Sequence, residues 1–205
     1  MPFAFELLLM GDAGVLVALA DPSDVFTAYR RLAAARLPEV RDLVPAATSV
    51  LVVFEDGREL DESAIVAALE REAPEPETAP RLVEVPVRYD GRDLADIARR
   101  ASTSPDELAA RHAAAEYVVA FIGFRPGFPY LRGLPPELAT PRLATPRPRV
   151  PAGSVAIGAS WSGIYPAATP GGWNLIGTTD VVLFDVERNP PAVLAPGDRV
   201  RFVRT

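Results

Sequence analysis

Apolar and polar residues follow two different periods in the first third of the chain, and together they predict a small α+β domain. Apolar runs at 3–9 and 15–20 flank the turn sequence MGDAG, which indicates a β-hairpin. Residues 21–37 repeat apolar side chains at three- and four-residue intervals, as an amphipathic helix does. SVLVVF (49–54) then predicts a strand, and DESAIVAALEREA (61–73) predicts a second helix. The order is therefore two strands, a helix, one or two strands and a helix.

Shorter elements are predicted after residue 81. A strand is indicated at 82–89 and is followed by two short helices, one of them at 104–112 with its start at Ser104. Another strand is indicated at 117–124. Short apolar runs separated by glycine and proline predict further strands at 153–159, 163–166, 173–179, 181–186 and 198–205. Closely spaced short strands are typical of a β-barrel or a β-sandwich.

A break in periodicity separates the two patterns. APEPETAP (73–80) alternates proline with acidic residues and is typical of a linker. We therefore divide the chain into a first domain at 1–75, a linker at 76–82 and a second domain at 83–205.

Several kinds of chemistry are excluded by composition. The chain has no cysteine, and all 21 of its basic residues are arginine, so disulfides, Schiff-base lysines and a Walker P-loop are excluded. The one histidine, His112, ends the predicted helix at 104–112, and any histidine chemistry has to use it. GASWSG (158–163) departs from the nucleophile elbow G-x-S-x-G at Ser162, and His112 precedes it, against the order of α/β-hydrolases. We expect no metal site.

Charge is distributed unevenly along the chain. Residues 1–80 carry 6 arginines against 15 acidic residues, whereas residues 81–205 carry 15 against 12. A pI near 4.9 argues against nucleic-acid binding. No apolar run approaches the roughly 18 residues of a membrane span, and the start lacks the features of a signal peptide. We expect a cytoplasmic protein that does not bind membranes.

One proline-rich segment reverses the acidic trend. Residues 121–154 contain eight prolines, and Arg142, Arg147 and Arg149 each adjoin one of them. Proline restricts the backbone at and before its own position, so these arginines are held in place before any ligand arrives. Arginine recognises carboxylates and phosphates with two parallel hydrogen bonds. Two interpretations stay open: solvated loop charges, or a site for an anionic ligand or an acidic partner.

The same segment carries a family resemblance. GFRPGFPYLRGLPPELATPRLATPRPRVPAGSVAIG, GIYPAATPGGWNLIGTT and LAPGDRVRF resemble the family of the B-type subunit of 5-oxoprolinase, also called allophanate hydrolase subunit 1 or KipI-like. GDAGVLVAL and ATSVLVVF match the N-terminal domain of that family less specifically. The resemblance covers essentially the whole chain.

The resemblance implies a ferredoxin-like N-terminal domain followed by a cyclophilin-like β-barrel domain. It also implies partners: the C-type subunit of 5-oxoprolinase, which is also called allophanate hydrolase subunit 2, and the A-type subunit. Together such subunits open the lactam of 5-oxoproline to glutamate with ATP. Because this chain has no lysine and no recognisable nucleotide loop, we expect ATP to act in the complex and not to bind this chain alone.

Candidate site residues come from the same match. The residues that follow the family pattern are Gly123, Phe124, Pro126, Gly127, Gly153, Ser154, Gly171, Gly172 and Trp173. For binding of the substrate or another anion we predict Arg142, Arg147, Arg149, Tyr130 and Tyr165. His112 is predicted to transfer a proton if the fold brings it to the groove in which these residues bind the substrate.

Other functions remain open at this point. KipI-like members inhibit a histidine kinase, so the chain is alternatively a regulatory binding protein. A second alternative is an amide hydrolase subunit in urea or allophanate metabolism. A prolyl isomerase is suggested only by the cyclophilin-like fold, and fold does not determine function.

Overall fold

Each of the two units into which the chain divides buries a hydrophobic core of its own. The computed structural model describes residues 3–55, 61–72 and 80–205, and the cores belong to two units, Met1–Ala79 and Pro80–Thr205. The linker predicted at 76–82 lies mostly outside the described residues and stays a prediction. None of the helices in these ranges is long and apolar enough to cross a membrane.

The first unit is a four-stranded antiparallel sheet with two helices. Its elements are β1 (Phe5–Leu9), β2 (Gly14–Leu19), α1 (Val25–Ala35), β3 (Val40–Pro45), β4 (Ser49–Phe54) and α2 (Glu62–Glu70), and the sheet order is β1-β2-β4-β3. Val17 and Val52 alternate into its core, where Leu32 and Ile65 pack from the helices. The predicted order of strands and helices is confirmed, with β3 as the additional strand. The ferredoxin-like assignment stays a prediction.

The second unit is built around a seven-stranded sheet. Its elements are β5 (Leu82–Val87), α3 (Leu94–Arg100), α4 (Pro105–Ala114), β6 (Tyr117–Ile122), β7 (Pro129–Arg132), β8 (Arg147–Val150), β9 (Ser154–Gly158), β10 (Trp161–Ile164), β11 (Thr169–Gly171), β12 (Asn174–Thr178) and β13 (Arg199–Arg204). The sheet order is β12-β9-β10-β7-β6-β13-β5, and β8 pairs separately with β11. Helix α4 starts as expected, with the Ser104 hydroxyl accepting from the Glu107 N–H at 3.1 Å.

The segment after β5 brings the two edges of the large sheet together. Arg88 and Thr178 exchange backbone hydrogen bonds of 2.9 and 2.8 Å, and the Asp93 N–H donates to the Leu175 carbonyl at 3.0 Å. Strands β5 and β12 are thereby joined, and the sheet becomes a nearly closed barrel around an apolar interior. The predicted β-barrel is confirmed at this level, and the name cyclophilin-like stays a prediction.

Two parts of the barrel differ from the sequence prediction. The strand predicted at 181–186 is wrong, because this segment forms only one isolated bridge, between Phe184 and Ala192. Pro190 and Pro191 have no N–H to donate, so the pairing does not extend along them. Conversely, β7 and β8 lie inside the proline-rich segment that shows no strand period.

Barrel closure leaves no room for a side chain at Gly177. A methyl group there would lie 2.5 Å from the Arg88 carbonyl oxygen, whereas one at Gly123 would lie 3.4 Å from its nearest neighbour, Phe121. We expect Gly177→Ala to lower the free energy of unfolding by about 1–3 kcal/mol. Gly123→Ala is the matched control and should change it by less. Equal effects in chemical denaturation would show that Gly177 is not held tightly against Arg88.

Candidate functional site

A cavity of about 160 Å³ lies on the second unit. It is lined by Phe124, Phe128, Tyr130, Arg142, Leu143, Pro146, Tyr165, Gly171, Gly172 and Trp173. Strand alternation places it outside the barrel: in β9, Val155 and Ile157 face the interior core, and Ala156 belongs to the cluster under the cavity. The cavity is therefore formed between the outer face of the sheet and the segments that cross it.

Aromatic rings form most of the cavity wall. Phe128 is fully buried, and its ring meets Tyr165 edge-on at 5.1 Å and Trp173 edge-on at 5.4 Å between centroids. Tyr130 lies 5.4 Å from Trp173 and stacks on Phe121 at 4.2 Å. Edge-to-face and stacked pairs fix ring orientation, each contributing about 0.5–1.5 kcal/mol beyond burial. The wall is thus apolar and preorganised.

Arg142 is the only charged residue among the described residues that line the cavity. Its guanidinium carbon lies 5.6 Å from the centroid of the Trp173 ring, in cation–π contact, and the residue is exposed. No carboxylate in the described residues forms an ion pair with it. Arg142 thus lies at the cavity with its charge unpaired among the described residues, and its role in anion binding stays a prediction.

Tyr165 supplies a hydroxyl to the cavity from a fixed backbone. The Tyr165 N–H donates to the Ser154 carbonyl at 2.9 Å, and the Tyr165 carbonyl accepts from the Gly153 N–H at 2.8 Å. Burial raises the pKa of the Tyr165 phenol above its usual value, so the hydroxyl stays protonated and can donate. A methyl group at Gly171 would lie 2.3 Å from this hydroxyl oxygen, so only glycine leaves room there.

The turn from Gly123 to Phe128 carries an exposed aromatic ring to the rim of the cavity. Phe124 is 59% exposed, and its ring meets Phe128 edge-on at 5.5 Å. Its φ of 66° is in the left-handed region, which costs a phenylalanine roughly 1–2 kcal/mol. Gly127 is buried and Pro126 is exposed in the same turn. Strained residues of this kind are often found at binding sites.

Two of the predicted anion-binding arginines are not part of the cavity. Arg147 is neutralised by Asp93, with both carboxylate oxygens within 2.8 Å of Nη2, and its Nη1 donates to the Trp173 carbonyl at 3.1 Å. Arg149 is exposed on β8 and does not line the cavity. The structure therefore brings together Arg142, Tyr130 and Tyr165, and leaves Arg147 and Arg149 outside.

His112 lies in the barrel interior and not at the cavity. It is fully buried between aromatic rings, with Nδ1 2.8 Å from the Tyr89 hydroxyl and Nε2 2.9 Å from the Ser162 hydroxyl. The Ser162 hydroxyl is 3.5 Å from the Ala156 carbonyl, so all groups are satisfied when Tyr89 donates to Nδ1 and Nε2–H donates to Ser162. Desolvation lowers the pKa of His112 to about 3, and the ring is neutral at physiological pH. Its geometry supports a structural role, and the proton-transfer role stays a prediction.

Some residues of the site were missed from the sequence. Leu143 lines the cavity, and Asp93 binds Arg147 behind it. Nothing local marks Asp93, since its partner Arg147 is 54 residues away. Among the described residues, no group of three or more histidine, aspartate or glutamate residues is placed to hold a metal ion.

This nearly closed barrel, with an aromatic cavity on its outer face, belongs to a known family. The family model described as carboxyltransferase domain, subdomain C and D, matches residues 5–194, and the chain is a member of that family. It also belongs with the proteins named as the B-type subunit of 5-oxoprolinase. The relative from Escherichia coli O157:H7 is 44% identical over 95% of this chain and 94% of its own length. The relative from Haemophilus influenzae is 40% identical, with 97% of each chain covered.

Solved structures agree with this fold. The crystal structure of TTHA0988 has a TM-score of 0.82 and 37% identity over 94% of this chain. This chain spans only 40% of the length of TTHA0988, so that protein contains additional polypeptide. The urea amidolyase of K. lactis has a TM-score of 0.78 with 18% identity, covering all of this chain and 15% of the enzyme. At that identity the similarity shows the fold alone.

Neutral His112 predicts a particular loss of stability in acid. The histidine of the unfolded chain gains a proton below pH 6.5, while folded His112 does so only near pH 3. Stability should therefore fall by about 1.4 kcal/mol per pH unit between these values from this group. Denaturation of His112→Gln and of the parent at pH 7, 6 and 5 isolates this contribution. The variant should be less stable at pH 7, and the difference should shrink as pH falls; a constant difference would contradict the burial of a neutral ring.

Proposed function

We propose that this chain is the B-type subunit of an ATP-dependent 5-oxoprolinase. In this proposal it does not turn over substrate alone, and it acts with two partners, one of the C type and one of the A type. The complex opens the lactam of 5-oxoproline, with water adding across the C–N bond, and releases glutamate.

The observation that carries the proposal is the aromatic cavity with Arg142 at its rim. A small, mostly apolar concavity lined by one arginine and two tyrosines suits a compact ring bearing a carboxylate. 5-Oxoproline is such a molecule. The relatives that match along nearly their full length carry the name of a subunit of that enzyme, which supports the same assignment.

Arg142 and Tyr165 have different roles in the proposal. Arg142 binds the carboxylate with the edge of its guanidinium, while the face of the guanidinium stays on Trp173. The lactam ring lies against the aromatic wall. The protonated Tyr165 hydroxyl donates to the lactam carbonyl, where negative charge develops when the amide is attacked.

The same residues argue for shared catalysis. Among the described residues that line the cavity there is no aspartate, glutamate or histidine to act as a general base. The sequence also has no lysine for a nucleotide phosphate. We therefore assign ATP and the activation of the amide to the other subunits, while this chain binds and orients the substrate.

A regulatory role is the second candidate, and Phe124 is the observation that favours it. A large exposed aromatic residue held in a strained turn beside an apolar cavity is suited to contact with another polypeptide. In this alternative the cavity receives a protein segment, as would befit a KipI-like inhibitor of a histidine kinase. Urea or allophanate metabolism is supported only by similarity of fold.

Arg142 is predicted to set affinity for the substrate carboxylate. Arg142→Gln removes the charge and the paired donors, and we expect the Kd for 5-oxoproline to rise about tenfold. Titration calorimetry measures the effect. Arg132→Gln is the matched control, since Arg132 is also exposed but does not line the cavity. Equal affinities for the two variants would remove Arg142 from the site.

Turnover is predicted only when all the subunits are present. Phosphate and glutamate release that depend on 5-oxoproline should be measured for this chain alone, with the C-type partner, and with both the C-type and A-type partners. We expect activity in the last mixture only. Activity of the chain alone would refute shared catalysis. A stable complex without turnover in any mixture would point to the regulatory alternative.

A further inference from the structure

Asp93 is almost fully buried behind the cavity, where it contacts the side chain of Arg147 and the backbone of Leu175. Its carboxylate accepts from Arg147 Nη2 at 2.6 and 2.8 Å and from the Leu175 N–H at 2.7 Å. Its own N–H donates to the Leu175 carbonyl at 3.0 Å. It precedes helix α3 as the N-cap residue, yet its side chain makes no capping hydrogen bond. Aspartate is among the preferred N-cap residues, and here its oxygens serve Arg147 and β12 instead.

The arginine that Asp93 binds connects two walls of the cavity. Arg147 begins β8, directly after the loop that contributes Arg142, Leu143 and Pro146 to the lining. Its Nη1 donates to the carbonyl of Trp173, and the guanidinium of Arg142 lies over the ring of the same Trp173. Asp93 therefore restrains the loop that carries Arg142 through Arg147. It restrains the strand that follows Trp173 through Leu175.

We propose that Asp93, acting through Arg147, is a positioning residue that fixes Trp173 and Arg142 relative to each other. It does not line the cavity, so it sets affinity without touching the ligand. The ligand part of this inference rests on the proposed function, whereas the positioning of Trp173 does not.

A second aspartate–arginine pair in the same unit provides a matched control. Asp198 accepts from Arg81 through both carboxylate oxygens and from the Ala195 N–H at 2.9 Å, and Arg81 also donates to the Val193 carbonyl at 3.0 Å. The side chains of Asp198 and Asp93 are 8% and 12% exposed. None of the residues of this second pair lines the cavity. Asp198→Asn thus removes the same chemistry from a place where only stability is at stake.

The experiment uses the full chain carrying Trp161→Phe, which leaves Trp173 as the only tryptophan. Asp93→Asn and Asp198→Asn are compared in this background by thermal unfolding, by Trp173 emission and acrylamide quenching without ligand, and by titration with 5-oxoproline. We expect both variants to lose stability. Only Asp93→Asn should shift Trp173 emission to longer wavelength, increase quenching and raise the Kd about tenfold. Arg147→Lys keeps the positive charge but loses the forked contact, and should reproduce these changes.

The outcomes separate the two proposals. If the background protein does not bind 5-oxoproline, that ligand is wrong, and Trp173 emission alone decides whether Asp93 positions the wall. The inference is overturned if Asp93→Asn leaves emission and quenching unchanged, or if Asp198→Asn changes them equally. If Asp93→Asn does not fold, Arg147→Lys is judged by the same measurements, and unchanged Trp173 emission in that variant overturns the inference.

Discussion

Strand β12 is paired along both of its edges, and both the barrel and the cavity depend on this constraint. β9 pairs with one edge, and the segment from Arg88 to Asp93 pairs with the other. Because successive side chains of a strand point to opposite faces, Ile176 packs in the barrel core while Leu175 belongs to the cluster under the cavity. A displacement of β12 would therefore disturb both the barrel core and the wall of the cavity. The buried carboxylate of Asp93 strengthens this constraint, because it accepts a hydrogen bond from the Leu175 N–H of β12.

The elements that were predicted from the sequence are those whose pattern is local. Helix α4 carries its own start signal in Ser104, and β6 shows its alternation without reference to a partner. β7 and β8 were missed because proline obscures their strand period. Their pairing also depends on the fold, since β7 pairs with β6 and β10, and β8 pairs with β11. The segment at 181–186 shows the opposite case: its composition favours a strand, but the prolines opposite it cannot donate the hydrogen bonds of a ladder.

Charge in a sequence window did not predict which arginine is available for a ligand. Arg147 and Arg142 are both beside a proline in an acid-poor stretch, yet Asp93 neutralises Arg147 from outside that stretch. Similarly, His112 was predicted as a proton-transfer group because it is the one histidine of the sequence. In the structure its ring is buried, with hydrogen bonds to Tyr89 and Ser162. A buried ion pair and a buried neutral ring both depend on contacts distant in the chain, and only the three-dimensional structure identifies them.

The stiff, arginine-bearing segment now has a physical explanation. A guanidinium is planar and weakly hydrated, so its face can lie on an indole ring while its edge stays free to donate two parallel hydrogen bonds. The guanidinium carbon of Arg142 lies over the Trp173 ring, 5.6 Å from its centroid, and this cation–π contact uses none of the N–H donors that a carboxylate needs. The prolines beside Arg142 and Arg147 restrict the backbone of the free protein, so that less conformational entropy is lost when a ligand binds. Arg147 is thus fixed by its ion pair with Asp93, whereas Arg142 stays exposed at the cavity.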